Sequence, residues 1–420
     1  MRRLVMLFGV LALLIDFYVY QGIKKITARW KSEILRRTVR WGYWIFFIGF
    51  NLLYTYVVYL RFSTREATDF MTLIMNLFIA FFVSKLFVIF ILFGEDLARA
   101  GVALFRLVKN SFSQEKSTGK VMPGRRKFVS QSALILASIP FASFLYGMVK
   151  GKYQFTVHRK TLYFEDLPAA FDGFRIIQLS DFHAGSFDDP AEVARGLKLA
   201  KAQNGDVVVF TGDIVNDKAP ELEPYLKDFR ELTAPFGQFS VLGNHDYGMY
   251  VQWPSEEEKE KNLLALKQHH ASMGYRLLLD EAVHLEKDGE KLALIGVENW
   301  GQGFIQIGDL DKALTNVADN AFKILLSHDP SHWSEVVKKH AKHVHLTLSG
   351  HTHGMQFGVE TPAFSWSPAQ FRYDTWAGLA EEAGRFLYVN RGFGYIGFAG
   401  RVGIWPEITV IELKKGKARA

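Results

Sequence analysis

The sequence predicts an α/β domain carried behind a bundle of about four membrane-spanning helices. Three observations lead there. Four long apolar stretches crowd the first 150 residues. Beyond them, short β-branched apolar runs alternate with helical patterns, the mark of a sheet covered by helices. The charge also divides at that point: residues 1–150 carry 21 Lys/Arg against 7 Asp/Glu, whereas residues 151–420 carry 29 against 36. The basic character therefore belongs to the first third, and the mildly acidic remainder counts against nucleic acid as a partner. The chain has no cysteine, which excludes a disulfide scaffold, thiolate-held metals and cysteine nucleophiles.

In residues 1–150 the expected spans are about 4–20, 41–60, 70–93 and 128–149. Each is long enough to cross a hydrocarbon core of ~30 Å at 1.5 Å per residue. Trp and Tyr gather at the ends of the second, where amphipathic rings favour the headgroup level. Asp16 and Lys85 are the charges inside the apolar stretches, and a pairing of Lys85 within the bundle is expected. Loop 21–40 holds seven Lys/Arg and loop 94–127 holds eight, so both are expected in the cytoplasm. Residues 151–420 then form a second domain outside the cytoplasm, at the cell membrane. Arg125-Arg126-Lys127-Phe128 before a mild apolar run resembles an internal twin-arginine export signal. Glu95–Asn110 reads as a helix lying on the inner surface, followed by a flexible tether.

In residues 151–420, strands are expected at Phe174–Ser180, Val207–Thr211, Phe239–Leu242, Leu292–Val297, Phe322–Ser327, Val344–Ser349, Phe386–Val389 and Ile408–Glu412. Helical patterns fall at about 190–203, 220–232, 255–273, 309–318 and 332–340. The later strands, with fewer helices between them, suggest a second, mixed sheet. Five of the runs end in unusual polar residues: Asp181 and His183; Asp213; Asn244, His245 and Asp246; His328 and Asp329; His351 and His353. Ligands bind at the carboxyl ends of strands in such sheets, because the loops converge there. Oxygen and imidazole donors without thiolate suit a pair of divalent cations, Mn, Fe, Zn or Mg. Such a pair can activate water and clamp a phosphoryl oxygen.

These motifs resemble the five ordered motifs of the calcineurin-like metallophosphoesterases: Asp181-x-His183, Gly212-Asp213, Gly243-Asn244-His245-Asp246, His328, and Gly350-His351-Thr352-His353. The likeness runs over roughly residues 172–413, and the anchor and late glycine-rich stretch are similar to its bacterial membrane-associated branch. It implies a four-layer αββα sandwich, two packed mixed sheets flanked by helices. It implies that Asp181, His183 and His353 hold one metal and Asn244, His328 and His351 another, with Asp213 bridging. His245 would protonate the leaving oxygen and Asp246 would orient His245. The implied reaction is attack on phosphorus by metal-bound hydroxide, without a covalent enzyme intermediate. The expected partner is a phosphorylated small molecule or a lipid, as a phosphodiester or pyrophosphate. A nuclease or cyclic-nucleotide phosphodiesterase, and a non-enzymatic metal-holding scaffold or sensor, are the alternatives. Arg391 and Arg401 are expected in salt bridges. The aromatic stretch from Phe364 to Trp376 is open to a role in a substrate cleft, at the membrane interface or in the core.

Overall fold

The computed structural model describes residues 2–64, 68–112 and 123–417. The chain divides into two compact units, Met1–Tyr146 and Gly147–Ala420.

The first unit is helical: α1 (Arg2–Thr27), α2 (Glu33–Thr64), α3 (Asp69–Phe112) and α4, which starts at Pro123 and runs on to Val149. Ser32 and Thr68 cap the second and third, each hydroxyl accepting a backbone N–H three residues on. Among the described residues three of these helices, α2 to α4, are long and apolar enough to cross a membrane. α3 departs from expectation. The span and the helix over Glu95–Asn110 are one continuous 44-residue helix. No proline interrupts the junction, and Arg99 pairs back to Glu95 and Asp96 at helical spacing. The tether expected after it lies largely outside the described residues.

Lys85 pairs with Asp16 at 2.5 Å. The Asp16 carboxylate is fully buried and also accepts from the Tyr43 hydroxyl (3.1 Å) and the Asn51 amide (3.0 Å). α1, α2 and α3 thus meet at one carboxylate whose charge is met on three sides. Removing only the cation would strand a buried anion.

The second unit contains two six-stranded sheets. Its strands in chain order are β1 (Thr156–Phe164), β2 (Arg175–Leu179), β3 (Val207–Thr211), β4 (Gln238–Val241), β5 (Tyr275–Leu277), β6 (Glu281–Lys287), β7 (Glu290–Gly296), β8 (Phe322–Leu326), β9 (Leu346–Ser349), β10 (Val359–Thr361), β11 (Phe364–Trp366), β12 (Gly378–Glu382), β13 (Arg385–Val389) and β14 (Glu407–Lys415). The first sheet runs β1-β14-β2-β3-β4-β5, parallel except between β14 and β2. The second runs β12-β13-β9-β8-β7-β6, with its four central strands parallel and both edges antiparallel. β10 and β11 form a separate hairpin.

Strand periodicity builds the layers. Val207 and Val209 of β3 join Phe322, Ile324 and Leu326 of β8 in the core between the sheets. Val208 and Phe210 face outward, under helices at Pro190–Lys201 and Glu256–Ser272. On the far side, Ile295 and Leu325 pack with Leu310, Trp333 and Val337 from the short helices of that layer. The result is the helix–sheet–sheet–helix sandwich that the resemblance implies.

Lys85→Met is expected to destabilise the helical unit by about 3–5 kcal/mol, the usual cost of breaking a buried pair from one side. Adding Asp16→Asn should recover most of that loss. Thermal unfolding in one detergent reads both variants. Equal stability of the single and double variants would show that the pair carries no such burden.

Candidate metal centre

The five motif loops all leave the carboxyl ends of parallel strands: β2, β3 and β4 of one sheet, β8 and β9 of the other. Asp181, His183, Asp213, His351 and His353 all take left-handed backbone, with φ of 53°, 52°, 57°, 71° and 50°. That region costs a side-chain-bearing residue on the order of 1–3 kcal/mol, and it gathers at functional sites. Close approach of motif side chains makes glycine necessary beside them. A Cβ on Gly350 would sit 2.2 Å from Asp181 Oδ2, and one on Gly243 would sit 2.3 Å from Asp213 Oδ1.

Two groups of donors converge, Asp181–His183–His353 and Asp213–His328–His351, each with its ligand atoms within 4.8 Å of one another. In the first, His183 Nε2 faces His353 Nε2 at 3.0 Å, and His353 Nε2 lies 3.3 Å from Asp181 Oδ1. In the second, His351 Nδ1 faces His328 Nε2 at 3.1 Å. Asp213 Oδ2 reaches both groups, 3.1 Å from His328 Nε2 and 3.7 Å from His183 Nε2. The seventh expected ligand, Asn244, is buried and offers Oδ1 without a hydrogen-bond partner. Its amide N–H donates to the Tyr250 hydroxyl (2.8 Å), which turns Oδ1 the other way.

The donor chemistry fits divalent cations. His328 donates Nδ1–H to the Thr211 carbonyl (2.7 Å), which leaves Nε2 as the nitrogen that faces Asp213 and could meet a cation. Burial works to lower the His328 pKa, but the Asp213 carboxylate overrides it and pushes the imidazole up to about 10. Burial likewise works to raise Asp213, yet the histidines around it, His328 foremost, hold the carboxyl well below its ordinary range. Burial lowers His351 to about 4 and lowers His183 and His353 as well. These shifts favour the neutral form, the one a metal ligand needs, at His183, His351 and His353, and the charged form at His328 beside Asp213.

His245 belongs to neither group. Its backbone N–H donates to Asp213 Oδ1 (2.8 Å), and its Nδ1 meets the Asn216 carbonyl at 2.7 Å. A carbonyl only accepts, so Nδ1 carries the proton and Nε2 is left to exchange one. Its ring packs on Tyr250 and stands edge-on to His183. Asp246 differs from expectation. Its two oxygens accept backbone N–H bonds from Gly243, Asp213, Ile214 and Val215, at 2.8 to 3.3 Å. It ties the second and third motif loops together, and the Asn216 carbonyl orients His245 instead.

Sequence reasoning passed over several supporting residues. His351 Nε2 meets the Tyr373 hydroxyl at 2.9 Å and lies 3.3 Å from Asp329 Oδ2, an electrostatic contact without a hydrogen bond; such neighbours suit a candidate ligand imidazole. Asp329 stood visibly beside His328, but only the fold shows that it serves His351. Arg391 is salt-bridged to Glu407 and Glu360, as expected. Arg401 is not held that way. Fully buried, it donates to the Gly392 and Gly394 carbonyls and lies against His353 Nδ1. Trp376 is core, packed with Ala369 and Ile404, whereas Phe364 and Phe371 are exposed.

Comparison with known proteins agrees with this architecture. Residues 174–355 match the family described as "Calcineurin-like phosphoesterase", and residues 1–152 match "Probable Calcineurin-like phosphoesterase, transmembrane domain". Residues 174–355 are thus a calcineurin-like phosphoesterase domain, and the chain is a membrane protein with a metal-dependent phosphoesterase domain. Relatives include the uncharacterized metallophosphoesterase YkuE of Bacillus subtilis, 29% identical over 59% of this chain and 82% of its own. Phosphodiesterase YaeI of Escherichia coli is 25% identical over 70% of this chain and 100% of its own. UDP-2,3-diacylglucosamine pyrophosphatase LpxG of Chlamydia muridarum is 27% identical over 54% of this chain and 79% of its own.

Asp329→Asn is expected to weaken cation binding at the group containing His351 by about 10–100-fold, the usual effect of losing such a supporting carboxylate. The group containing His353 should be unaffected. Calorimetric titration of metal-stripped protein with Mn²⁺ reads the two steps, with thermal melting as the folding control. An unchanged weaker step in folded protein would remove Asp329 from this role.

Proposed function

We propose that this chain hydrolyses a phosphodiester or pyrophosphate, lipid-linked or in a lipid headgroup, on the outer side of the cytoplasmic membrane. The observation that carries the reading is Asp213 Oδ2 standing between two imidazole-rich donor groups, with His245 bonded to the other oxygen of the same carboxylate. Asp181, His183 and His353 would hold one divalent cation, and Asn244, His328 and His351 the other, with Asp213 shared. Such a pair supplies an activated water and neutralises charge on the phosphoryl oxygens.

The chain's own residues do the rest. His245, pinned at Nδ1, presents Nε2 as the nitrogen that hands a proton to the departing oxygen. Tyr250 holds the Asn244 amide N–H, which leaves the carbonyl oxygen free for the cation it would help to hold, and covers one face of His245. Asp246 holds the loops of Asp213 and Asn244 at fixed separation, so the shared carboxylate and the proton donor move as one body. The lipid part of the reading is supported by the membrane-spanning unit in the same chain and by the name of one relative, a UDP-2,3-diacylglucosamine pyrophosphatase, while the name of another, a phosphodiesterase, supports the diester. The net charge of −7 on residues 151–420 counts against a polyanionic substrate. The family assignment sets aside a non-enzymatic scaffold.

His245→Ala is expected to keep its metals while lowering turnover by about 10²–10⁴-fold on substrates with a poor leaving group. The loss should be smaller on nitrophenyl esters, whose leaving group needs less protonation. Equal losses on both substrate types, or loss of metal, would end the general-acid assignment.

The orientation rests on the two strongly basic loops, 21–40 and 94–127. A reporter joined after Ala420 should be active only if it works outside the cytoplasm. Replacing Arg125 and Arg126 with Lys should block export if the twin-arginine-like element is used. Activity of a cytoplasm-only reporter would reverse the topology.

A further inference from the structure

The exposed apolar side chains of the second unit are unevenly placed. From Thr156 onward, ten large apolar residues are exposed among the described residues. Three lie elsewhere, on β1, on β12 and on the helix at Glu256–Ser272 (Tyr163, Leu379 and Leu264). The other seven stand in segments that follow the carboxyl ends of β4, β7 and β9, with Val359 and Phe364 on the β10–β11 hairpin, and that edge carries the candidate metal centre. Phe371 is 81% exposed, Phe364 57% and Met355 51%. A soluble surface scatters such residues singly, whereas gathering them around one mouth marks an interaction surface.

These residues form a built rim. Ser367 Oγ donates to the Gly354 carbonyl at 2.6 Å, tying the turn that bears Met355 to the turn that ends at Phe371. The β10–β11 register sets Thr361 opposite Phe364 and Val359 opposite Trp366, on one face of the hairpin. Next to Phe371, the exposed Arg372 lies with its guanidinium 4.8 Å from the Phe304 ring centroid and 5.4 Å from that of Tyr373. Phe304 stands edge-on to His351, and Tyr373 hydrogen-bonds it. The cation is therefore one aromatic layer from a candidate metal ligand, with a bare phenyl ring beside it.

We propose that this rim docks on the phospholipid bilayer, with Met355, Phe364 and Phe371 entering the boundary between headgroups and acyl chains and Arg372 at the level of the phosphates. Aromatic and aliphatic side chains flanked by arginine suit that boundary. Only six residues separate the end of the last apolar helix at Val149 from the start of β1 at Thr156, so the connection in the chain is short. Docking in this pose brings headgroup phosphates to the metal centre. It rests on the proposed function only for the chemistry that follows, not for the docking.

The chain has no cysteine, so single labels can be placed cleanly. Phe371→Cys, Phe364→Cys and the control Leu264→Cys, each carrying an environment-sensitive fluorophore, are compared in full-length protein in nanodiscs with acyl-brominated phospholipids. Labels at 371 and 364 are expected to lose at least about half their intensity, and the label at 264 to keep its own. Quenching at 371 no greater than at 264 would overturn the proposal. A second arm uses Phe364→Ser with Phe371→Ser. Turnover of a phosphodiester lipid in vesicles should fall at least about tenfold while that of soluble bis(p-nitrophenyl) phosphate stays unchanged. Equal losses on both substrates would count against docking. Quenching with no lipid turnover by the unmodified chain would leave docking standing and remove the lipid substrate.

Discussion

Asp213 is the group on which the arrangement turns. A carboxylate with almost no exposure in a sandwich of two sheets is costly unless its charge is answered. Here one oxygen is answered by the His245 backbone N–H and the other by imidazoles from both sheets. Because Oδ2 faces His183 on one side and His328 on the other, it joins a loop following β2 to a loop following β8. The two sheets must therefore keep their spacing and their shared edge for the centre to exist. The dry core between them, filled by Val207, Val209, Ile324 and Leu326 among others, is what keeps that spacing.

The same constraint explains the strain. Short loops must turn ligands inward immediately after a strand, and left-handed backbone at five of them achieves this. That conformation persists only where surroundings over-determine it. Asp246 provides part of that determination through four backbone N–H bonds. Asp181 provides more, both its oxygens accepting from the His351 backbone N–H. The candidate ligands thus brace one another's loops, which favours a stiff centre over one assembled by substrate.

What was legible in the sequence follows from burial. All eight expected strands are present, and they are the eight interior strands of the two six-stranded sheets. Such strands are covered on both faces and read as continuous apolar runs. The edge strands β1, β5, β6 and β12 escaped, because sequences such as Glu281–Lys287 alternate with polar residues, one face being open. The motif residues were legible because polar residues of that kind rarely follow such runs. Their supports were not. The Asn216 carbonyl has no side-chain signal, and the links from Asp329 to His351 and from Tyr250 to Asn244 depend on loop paths. Adjacency suggests contact between Asp246 and His245, whereas its turn carries the carboxylate toward backbone N–H groups.

The membrane unit reads differently, by bulk hydropathy and loop charge, with Asp16 and Lys85 as its one buried pair between separate helices among the described residues. The central claim, however, is that one carboxylate serves two cations. Elemental analysis of purified, active protein beside its Asp213→Asn variant tests it most directly. The account predicts about two divalent ions per chain in the parent, and loss of both ions and activity in the variant, because the shared ligand is gone. One ion or none in active parent protein, or two ions retained by the variant, would contradict it.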